Sequence, residues 1–396
     1  MGARWAGVGG RVALALAGVV VAVVIADGTA RWLAPQCPQS SNLWQPDPEV
    51  GWTPTKNAHA TYQTCTNLTR EFRTDVRINA LGLRDVERSY GRPPGTRRIL
   101  VLGDSFTEAL QVEREQTFVA LLEKQLAAGD GRVEVINAGV AGYGTDNELL
   151  AYRRQYSHFD VDLVLLAMST ENDVYENSRA LVSAGDIPYP DKPYFELDDH
   201  GALVLRNHPV PPHVPPPRSF AQWLHDTVHA SPLVRLLTHE PPPPRRDVRL
   251  IGGHPTGGRS VSEQFLVAQP PEWAEARVLT EHLLRELAAE VAQHGVRLAV
   301  VLVPDKRAVV PGTLDLALAL PPLAGRAVEV ERPYRDLRAI VEATGLPYCS
   351  LLEDFRTHRA TTGDNAYFGW DTHWTVSGHA LAADAIARCL RELQLF

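Results

Sequence analysis

The sequence predicts an α/β fold, in which helices cover both faces of a mostly parallel β-sheet. From residue 98 onward, short apolar runs alternate with longer segments of helical periodicity, as expected of successive strand–helix units. The runs are continuously aliphatic and β-branched, which is typical of strands buried on both faces. At 396 residues, 44% of them hydrophobic, the chain can bury one large core or two smaller ones.

The predicted elements follow one another in a regular order. Strands are expected at residues 99–102, 133–136, 163–167, 298–303 and 346–349. Helices are expected at residues 118–128, 147–156, 272–294, 334–344 and 376–393. Because neighbouring parallel strands need a crossover connection, this alternation favours a parallel sheet.

Three regions of different composition divide the chain. Residues 1–31 contain a membrane-targeting segment, and residues 32–97 are rich in Pro, Asn, Thr and Trp. Residues 98–396 carry the alternation of strands and helices. We expect the middle region to be an irregular extension with short strands that lie against the main domain.

The N-terminal region contains an apolar segment, residues 12–26, that carries no charge. Arg4 and Arg11 precede it, which places the body of the protein outside the cytoplasmic membrane, in the periplasm or the extracellular space. The segment is either a retained single-pass anchor or a cleaved signal peptide. The small residues after it depart from the Ala-x-Ala pattern of cleavage sites, which favours the anchor, whereas cleavage would give a secreted protein.

A proline-rich insertion interrupts the main domain at about residues 177–271. Its proline runs at residues 209–217 and 241–244 exclude helix and central strand and favour exposed, extended chain. Between them, residues 220–238 have helical character, with a break expected at Pro232. The insertion is either a lid that shapes the substrate site or a tolerated surface excursion.

Charge and cysteine content exclude some classes of function. The formal net charge of -8 contains no long acidic or basic run, so nucleic acid is not an expected partner. The four cysteines, Cys37, Cys65, Cys349 and Cys389, permit two disulfides in an oxidising compartment, although the sequence does not assign the pairing and free buried thiols remain an alternative. Without a CxxC or Cys/His cluster, no zinc site is expected.

Ser105 is the first candidate for a chemical role. It follows the predicted strand at residues 99–102 and Gly103, at the point where a helix starts. A serine at such a strand end can serve as a nucleophile, with the next backbone amides facing a developing negative charge. The same pattern also occurs at ordinary helix caps, so Ser105 needs support from elsewhere in the chain.

Two further strand ends carry groups that stabilise anions. A glycine-rich loop follows the second strand and includes Gly142, where backbone amides can approach an anion closely. Asn172 follows the third strand, and its amide is able to donate to a tetrahedral oxyanion. Taken alone, a glycine-rich loop is more often an ordinary turn, and an asparagine after a strand is more often a residue that caps a loop.

A carboxylate and a histidine precede the last predicted helix. Asp371 lies two residues before His373, and a carboxylate at that spacing can orient the imidazole that takes the proton of a serine. The nearby His379 lies on the helix itself and is expected to be structural.

Together, the blocks GDSFT, NAGVAGYGT, TEND and DTHWTVSGH resemble those of the SGNH (GDSL-type) hydrolase superfamily, in the family order. The resemblance runs from the first predicted strand to the C-terminus and implies a three-layer α/β/α sandwich with a flavodoxin-like sheet. It also implies a nucleophile at Ser105, a general base at His373 and an orienting carboxylate at Asp371. Gly142 and Asn172 would join the Ser105 amide in an oxyanion hole, and no metal or organic cofactor is implied.

One departure from the family pattern bears on the reaction. The usual block places the Asp three residues before the His, whereas position 370 is Trp and the carboxylate is Asp371. The Asp-x-His-Trp-Thr form is similar to that of SGNH-like polysaccharide O-acetyltransferases of the alginate type, which also work outside the cytoplasmic membrane. The resemblance therefore implies transfer to a sugar hydroxyl as well as hydrolysis.

Two other features are expected to be structural. His225 and His229 lie one helical turn apart without an evident third ligand, which favours a solvated helix face over a metal site. Arg84 is expected in a surface ion pair, with contact to an anionic substrate as the alternative.

The sequence thus predicts an extracytoplasmic serine esterase that removes O-acyl groups, above all acetyl, from a cell-envelope glycan or related ester. One alternative is a polysaccharide O-acetyltransferase with the same triad, supplied with acetyl by a membrane partner of an envelope polysaccharide-modification system. Another is a catalytically silent glycan-binding or scaffold protein. The expected partners are an acylated carbohydrate or small ester and, through the N-terminal segment, the membrane.

Overall fold

The computed structural model describes residues 2–33, 43–63, 71–128, 132–183, 191–212, 219–229, 231, 233–234, 237, 260–314, 318 and 323–396. Strands occur in several of these ranges. In chain order they are β1 (Trp44–Asp47), β2 (Gly51–Pro54), β3 (His59–Gln63), β4 (Arg73–Arg77), β5 (Thr96–Gly103), β6 (Arg132–Gly139), β7 (Leu163–Ser169), β8 (Tyr194–Leu197), β9 (Leu203–Arg206), β10 (Arg297–Val303) and β11 (Tyr348–Ser350). Those predicted from the sequence correspond to β5, β6, β7, β10 and β11.

Helices connect these strands. They are α1 (Gly2–Leu33), α2 (Ser105–Glu108), α3 (Phe118–Leu126), α4 (Thr145–Arg154), α5 (Asp173–Glu176), α6 (Arg179–Ser183), α7 (Phe220–His229), α8 (Pro271–Gln293), α9 (Lys306–Val309), α10 (Arg332–Thr344), α11 (Leu352–Thr362) and α12 (Val376–Glu392). The sequence did not predict α11, whose segment is mostly polar and buries only Leu352 and Phe355. Helical periodicity is therefore weak there.

The central sheet has five parallel strands in the order β11-β10-β7-β5-β6. Numbered along the chain within the sheet, this is 2-1-3-4-5, which confirms the predicted flavodoxin-like arrangement. Gly103 at the end of β5 pairs with Gly139 on β6 and with Ala167 on β7. The carboxyl ends of these three strands therefore lie side by side, and β5 and β7 flank the point where the strand order reverses.

Helices on both sides complete the three layers. One group contains α3 and α12, which pack against each other, and the other contains α4, α8 and α10. The centre of the sheet between them is shielded from solvent, since every residue of β7 is buried. A disulfide between Cys349 and Cys389 ties β11 to α12. Cys37 and Cys65 lie outside the described residues.

The N-terminal region begins with α1, a helix of 32 residues. Within it, Ala13–Ala30 is long and apolar enough to cross a membrane, with a mean hydropathy of 2.2. Two antiparallel hairpins follow, β1–β2 and β3–β4. Trp52 of the first hairpin is buried in the core of the main domain, so this extension is part of the same packing unit as the sheet.

The described part of the insertion is a hairpin followed by a helix. The hairpin β8–β9 packs on α4 and α8 and buries Phe195 in the main core. Helix α7 covers the first part of the helix predicted at residues 220–238. Pro232 and most of the proline-rich runs lie outside the described residues.

Candidate active site

Ser105 opens a short helix at the carboxyl end of the sheet. The preceding residue, Asp104, caps this helix by accepting a 2.8 Å hydrogen bond from the Phe106 amide. The helix lies close to the neighbouring strand: a Cβ placed on Gly139 would collide with the backbone nitrogen of Glu108 and with the Thr107 side chain. Only glycine permits this approach, which fixes where the Ser105 hydroxyl emerges.

His373 lies on a loop that is closed like a hairpin. Tyr367 and Trp374 form an antiparallel bridge, and the Phe368 amide donates to the His373 carbonyl over 3.0 Å. The Trp374 ring is fully buried, while the imidazole of His373 packs on Phe106 with ring centroids 4.8 Å apart. The ring is thereby held beside Ser105.

The three predicted triad residues form one chain of hydrogen bonds. The Ser105 hydroxyl donates to Nε2 of His373 over 2.6 Å, and Nδ1 of His373 donates to Oδ1 of Asp371 over 2.5 Å. Asp364, the other carboxylate near this loop, accepts instead from Ser377 and His358. The arrangement allows a neutral imidazole to take the serine proton while the carboxylate holds the opposite ring nitrogen.

The local charges favour a protonated ring once the proton has moved. Burial disfavours the charged imidazole, but the charge and hydrogen bond of Asp371 outweigh it and raise the pKa of His373 above its usual value. A base with a raised pKa accepts the serine proton more readily.

Glu71 belongs to none of the sequence motifs, but its side chain binds the backbone of the loop that carries Asp371. Its two carboxylate oxygens accept from the backbone amides of Trp370 and Asp371 over 2.7 and 2.8 Å. On the same loop, the Lys306 ammonium donates to the carbonyls of Phe368 and Gly369. Both loop donors and loop acceptors are therefore satisfied by charged side chains.

The glycine-rich loop is held by the first hairpin. Gly142 adopts a φ of 77°, in the left-handed region that favours glycine. Beside it, the Trp52 indole donates to the Ala141 carbonyl over 3.0 Å, and the Tyr143 hydroxyl donates to the Trp52 carbonyl over 2.5 Å. The Ala141 amide donates to Glu108 on the nucleophile's helix. These contacts fix the backbone around the Gly142 amide.

Asn172 stands at the start of α5, directly after β7. Its side chain lies close enough to the Asp104 carboxyl, next to Ser105, to lower the pKa of that carboxyl. Burial raises the pKa of Asp104 to about 6, although the Phe106 amide and the charge of His373 oppose this. The structure thus brings Asn172 to the Ser105 end of the site.

Behind the nucleophile lies a group of buried carboxyl side chains that the sequence analysis missed. This acidic cluster comprises Asp104, Asp146, Glu148, Asp173 and Glu176, all at most 2% exposed. Burial, followed by the charges of the other members, raises the pKa of Glu148 and of Asp173 well above the usual range. Glu148 and Asp173 therefore keep their protons to a higher pH than exposed carboxyl groups do.

Lys192, a residue of the insertion, forms hydrogen bonds at this cluster. The Lys192 ammonium donates to Asp146 and to Asn147, each over 2.7 Å. Neither carboxyl oxygen of Glu148 has a hydrogen-bond partner among the described residues. In sequence, the acids at residues 146 and 148 look like ordinary first-turn residues of a helix, so no local signal marks them as buried.

Arg84, His379 and His225 lie apart from the triad. The prediction of a surface ion pair for Arg84 is wrong: its side chain is buried and donates to the carbonyls of Glu108, Ala109 and Val112. His379 accepts from the Phe118 amide over 3.2 Å, and burial lowers its pKa to about 3. His225 is exposed on α7.

Comparison with known proteins finds one family model that matches the C-terminal third of the chain. Residues 263–396 match the family model of the SGNH hydrolase-like domain of acetyltransferase AlgX. This range contains Asp371 and His373 but not Ser105. No curated protein sequence matches the chain.

Some solved structures of esterases are similar to this chain at low sequence identity. An acetylxylan esterase of Geobacillus stearothermophilus, Axe2, is 13% identical, with a TM-score of 0.38, over 76% of this chain and 96% of its own. The lipase/acylhydrolase from Enterococcus faecalis is 14% identical, with a TM-score of 0.38, over 75% of this chain and 96% of its own.

The family-model match and the geometry of the site point to the same group of residues. The matched segment contains Asp371 and His373, and the helix after β5 begins with Ser105, within hydrogen-bond distance of His373. The order of the central sheet is the one that the motif resemblance implied. The C-terminal third of the chain is therefore similar in sequence to an SGNH hydrolase-like domain, and the arrangement of the candidate site agrees with that similarity.

Proposed function

We propose that the protein is an extracytoplasmic serine esterase that removes O-acetyl groups from a cell-envelope glycan or related ester. The observation that carries this proposal is the hydrogen-bond chain from the Ser105 hydroxyl through His373 to Asp371. Serine is a weak nucleophile without such a base, and a buried Asp–His pair serves acyl transfer from esters.

The proposed reaction has two halves. As the Ser105 oxygen forms a bond to the acetyl carbon, its proton passes to Nε2 of His373, and the carbonyl oxygen becomes an oxyanion. We assign the amides of Ser105 and Gly142 and the side chain of Asn172 to that oxyanion. Collapse breaks the bond to the sugar oxygen, which takes the proton from His373. The oxygen of a water molecule then bonds to the acetyl carbon while His373 takes one of its protons. Collapse of this second intermediate breaks the bond to Ser105, which takes the proton back from His373 as acetate leaves.

The AlgX-type match favours a second candidate function. The acetyl group on Ser105 would then pass to a sugar hydroxyl instead of water, with His373 removing the hydroxyl proton. The loop position of Asp371, one residue closer to the histidine than in the usual hydrolase block, supports this candidate. Both functions share the acyl-enzyme and differ only in the acceptor.

The experiment uses the full-length protein in detergent with p-nitrophenyl acetate and a fluorophosphonate probe. We expect acetate release and covalent labelling that both vanish in Ser105→Ala and persist in Ser157→Ala, a half-buried serine outside the site. Unlabelled wild-type protein that releases no acetate would contradict both enzymatic functions and favour a silent binding protein. Adding an acetyl-free oligosaccharide and measuring acetylated sugar by mass spectrometry separates transfer from hydrolysis.

We also propose that α1 is kept as a membrane anchor, with the site outside the cytoplasmic membrane. The span-length apolar segment Ala13–Ala30 and the arginines before it support this topology. The intact mass of the protein isolated from membranes tests it. A mass that lacks the first 26 to 30 residues would identify a cleaved signal peptide instead.

A further inference from the structure

Helix α7 has an apolar face that nothing in the described structure covers. Four apolar side chains on it are between 43% and 74% exposed: Phe220, Trp223, Leu224 and Val228. At 100° per residue these positions fall on one side of the helix, with Gln222 and His225 on the other. The Phe220 and Trp223 rings stack on each other, with centroids 5.6 Å apart.

The end of α7 lies beside the outer end of the candidate span. Two residues after the helix, the Ser231 hydroxyl donates to Oδ1 of Asp27 over 2.5 Å. Asp27 belongs to the last turn of the apolar segment Ala13–Ala30. Since a carboxylate close to the end of a span lies at the membrane–water boundary, α7 ends at the same level.

The surroundings of α7 have the composition of a membrane interface. Trp32, just after the span, is 83% exposed, and Leu237, beyond α7, is 72% exposed. Tryptophan is enriched at lipid headgroups, where its apolar ring and its N–H are both accommodated. With ten residues, α7 is about 15 Å long, too short to cross a bilayer but long enough to lie in its surface.

We propose that α7 is an interfacial helix that lies in the outer leaflet beside α1, with Phe220, Trp223, Leu224 and Val228 among the lipid chains. This inference rests on the proposal that α1 is kept as an anchor. A single span leaves the body free to tilt and turn, whereas a second contact fixes one face of the domain toward the membrane. The partner is the lipid surface itself.

The test uses the full-length protein in phospholipid vesicles that contain brominated phosphatidylcholine, which quenches nearby tryptophan. Wild type is compared with Trp223→Phe, with Trp32→Phe at the end of the span and with Trp370→Phe beside the candidate active site. We expect Trp223→Phe and Trp32→Phe each to lower the quenched emission by roughly one of the eight tryptophans. Trp370→Phe is expected to lower only the unquenched part. Bromines near the headgroups should quench Trp223 more than deep ones, because interfacial helices lie ~5–10 Å into the boundary.

The outcomes separate this inference from the anchor on which it rests. Loss of quenching in Trp32→Phe but not in Trp223→Phe would leave the anchor in place and overturn the interfacial helix. No quenching at either position would overturn both. If Trp223 escapes quenching while two copies in one vesicle cross-link through α7, the face is a dimer contact and the lipid assignment is wrong.

Discussion

At the scale of single residues, the Asp371 carboxylate determines the protonation behaviour of the site. The pKa of His373 is raised above its usual value, and the imidazole acts as a base only when neutral. Activity therefore falls as the pH drops through this raised pKa, so the acid limb of kcat/KM lies above the usual histidine value of ~6.5.

Asp371→Asn is expected to lower kcat by roughly 10³- to 10⁴-fold, as loss of the orienting carboxylate does in serine proteases. The acid limb should also move to lower pH, since burial then acts on the ring without the opposing charge. The pH profile of p-nitrophenyl acetate hydrolysis measures both effects. Asp364→Asn is the matched control and should keep the wild-type limb, because Asp364 bonds Ser377 and His358 instead. An acid limb that moves in Asp364→Asn but not in Asp371→Asn would contradict the assignment.

Glu71 acts through the loop that carries the acid. Its carboxylate accepts two backbone amides there, and hydrogen bonds to charged groups contribute about 1.5–3 kcal/mol each. Glu71→Ala is expected to lower kcat about 10- to 100-fold with little change in KM, since the geometry of the base is affected and not substrate binding.

Glu87→Ala provides the control for Glu71. Glu87 also accepts a backbone amide, that of Ala80, but in a turn without contact to the triad loop. Steady-state kinetics on both variants should show the loss only for Glu71. Equal losses of kcat in the two variants would mean that general destabilisation, not positioning, is responsible.

At the scale of elements, the first hairpin supports the glycine-rich loop. Trp52→Phe removes the indole N–H that donates to the Ala141 carbonyl and leaves a smaller aromatic ring in its place. We expect a loss of stability of about 1 kcal/mol and a fall in kcat of about tenfold, because the neighbouring Gly142 amide loses its support.

The same hairpin offers a matched control for Trp52. The Trp44 indole nitrogen is buried without a hydrogen-bond partner among the described residues, so Trp44→Phe removes no such bond. Thermal unfolding and kcat for the two variants form the measurement. A drop in kcat for Trp44→Phe as large as for Trp52→Phe would contradict a specific role of the Trp52–Ala141 bond.

Sequence patterns predicted the elements that depend on local regularity. The five sheet strands are continuous aliphatic runs, and the triad residues sit in short blocks of fixed order, so both could be predicted. The supports of the site could not, because Glu71 and Trp52 lie in a region without periodicity and reach the site only through tertiary packing. For the same reason Arg84, which resembles a surface arginine in sequence, proved to be a buried donor to three carbonyls.

At the scale of the whole molecule, the acidic cluster links stability to pH. The pKa of Glu148 is raised well above 4.5 by burial and by neighbouring carboxylates. Between pH 4.5 and this raised pKa, the folded protein binds more protons than the unfolded chain. The free energy of unfolding attributable to this group therefore falls as the pH rises through that window.

Glu148→Gln removes the charge and keeps the shape of the side chain. Any cost of burying the amide is the same at all pH values, so the pH dependence isolates the charge. Thermal unfolding should show a gain in the Tm of Glu148→Gln relative to wild type at pH 8 that shrinks toward pH 4.5. Glu353→Gln, whose side chain is 77% exposed, should show no such trend. A Glu148→Gln difference that is constant with pH would mean that the carboxyl is not protonated in the folded state.

The stability of the molecule depends on whether the Cys349–Cys389 disulfide has formed, and therefore on the redox state of the compartment. The bridge closes a segment with a sequence separation of 40 that includes the His373 loop. In the chain-entropy model, a loop of this length is worth about 4 kcal/mol. Thiols stay reduced in a bacterial or eukaryotic cytosol, so a newly made chain there lacks this contribution and gains it only in an oxidising compartment. The histidine loop would thus be held least firmly while the chain is among cytosolic esters and most firmly after export.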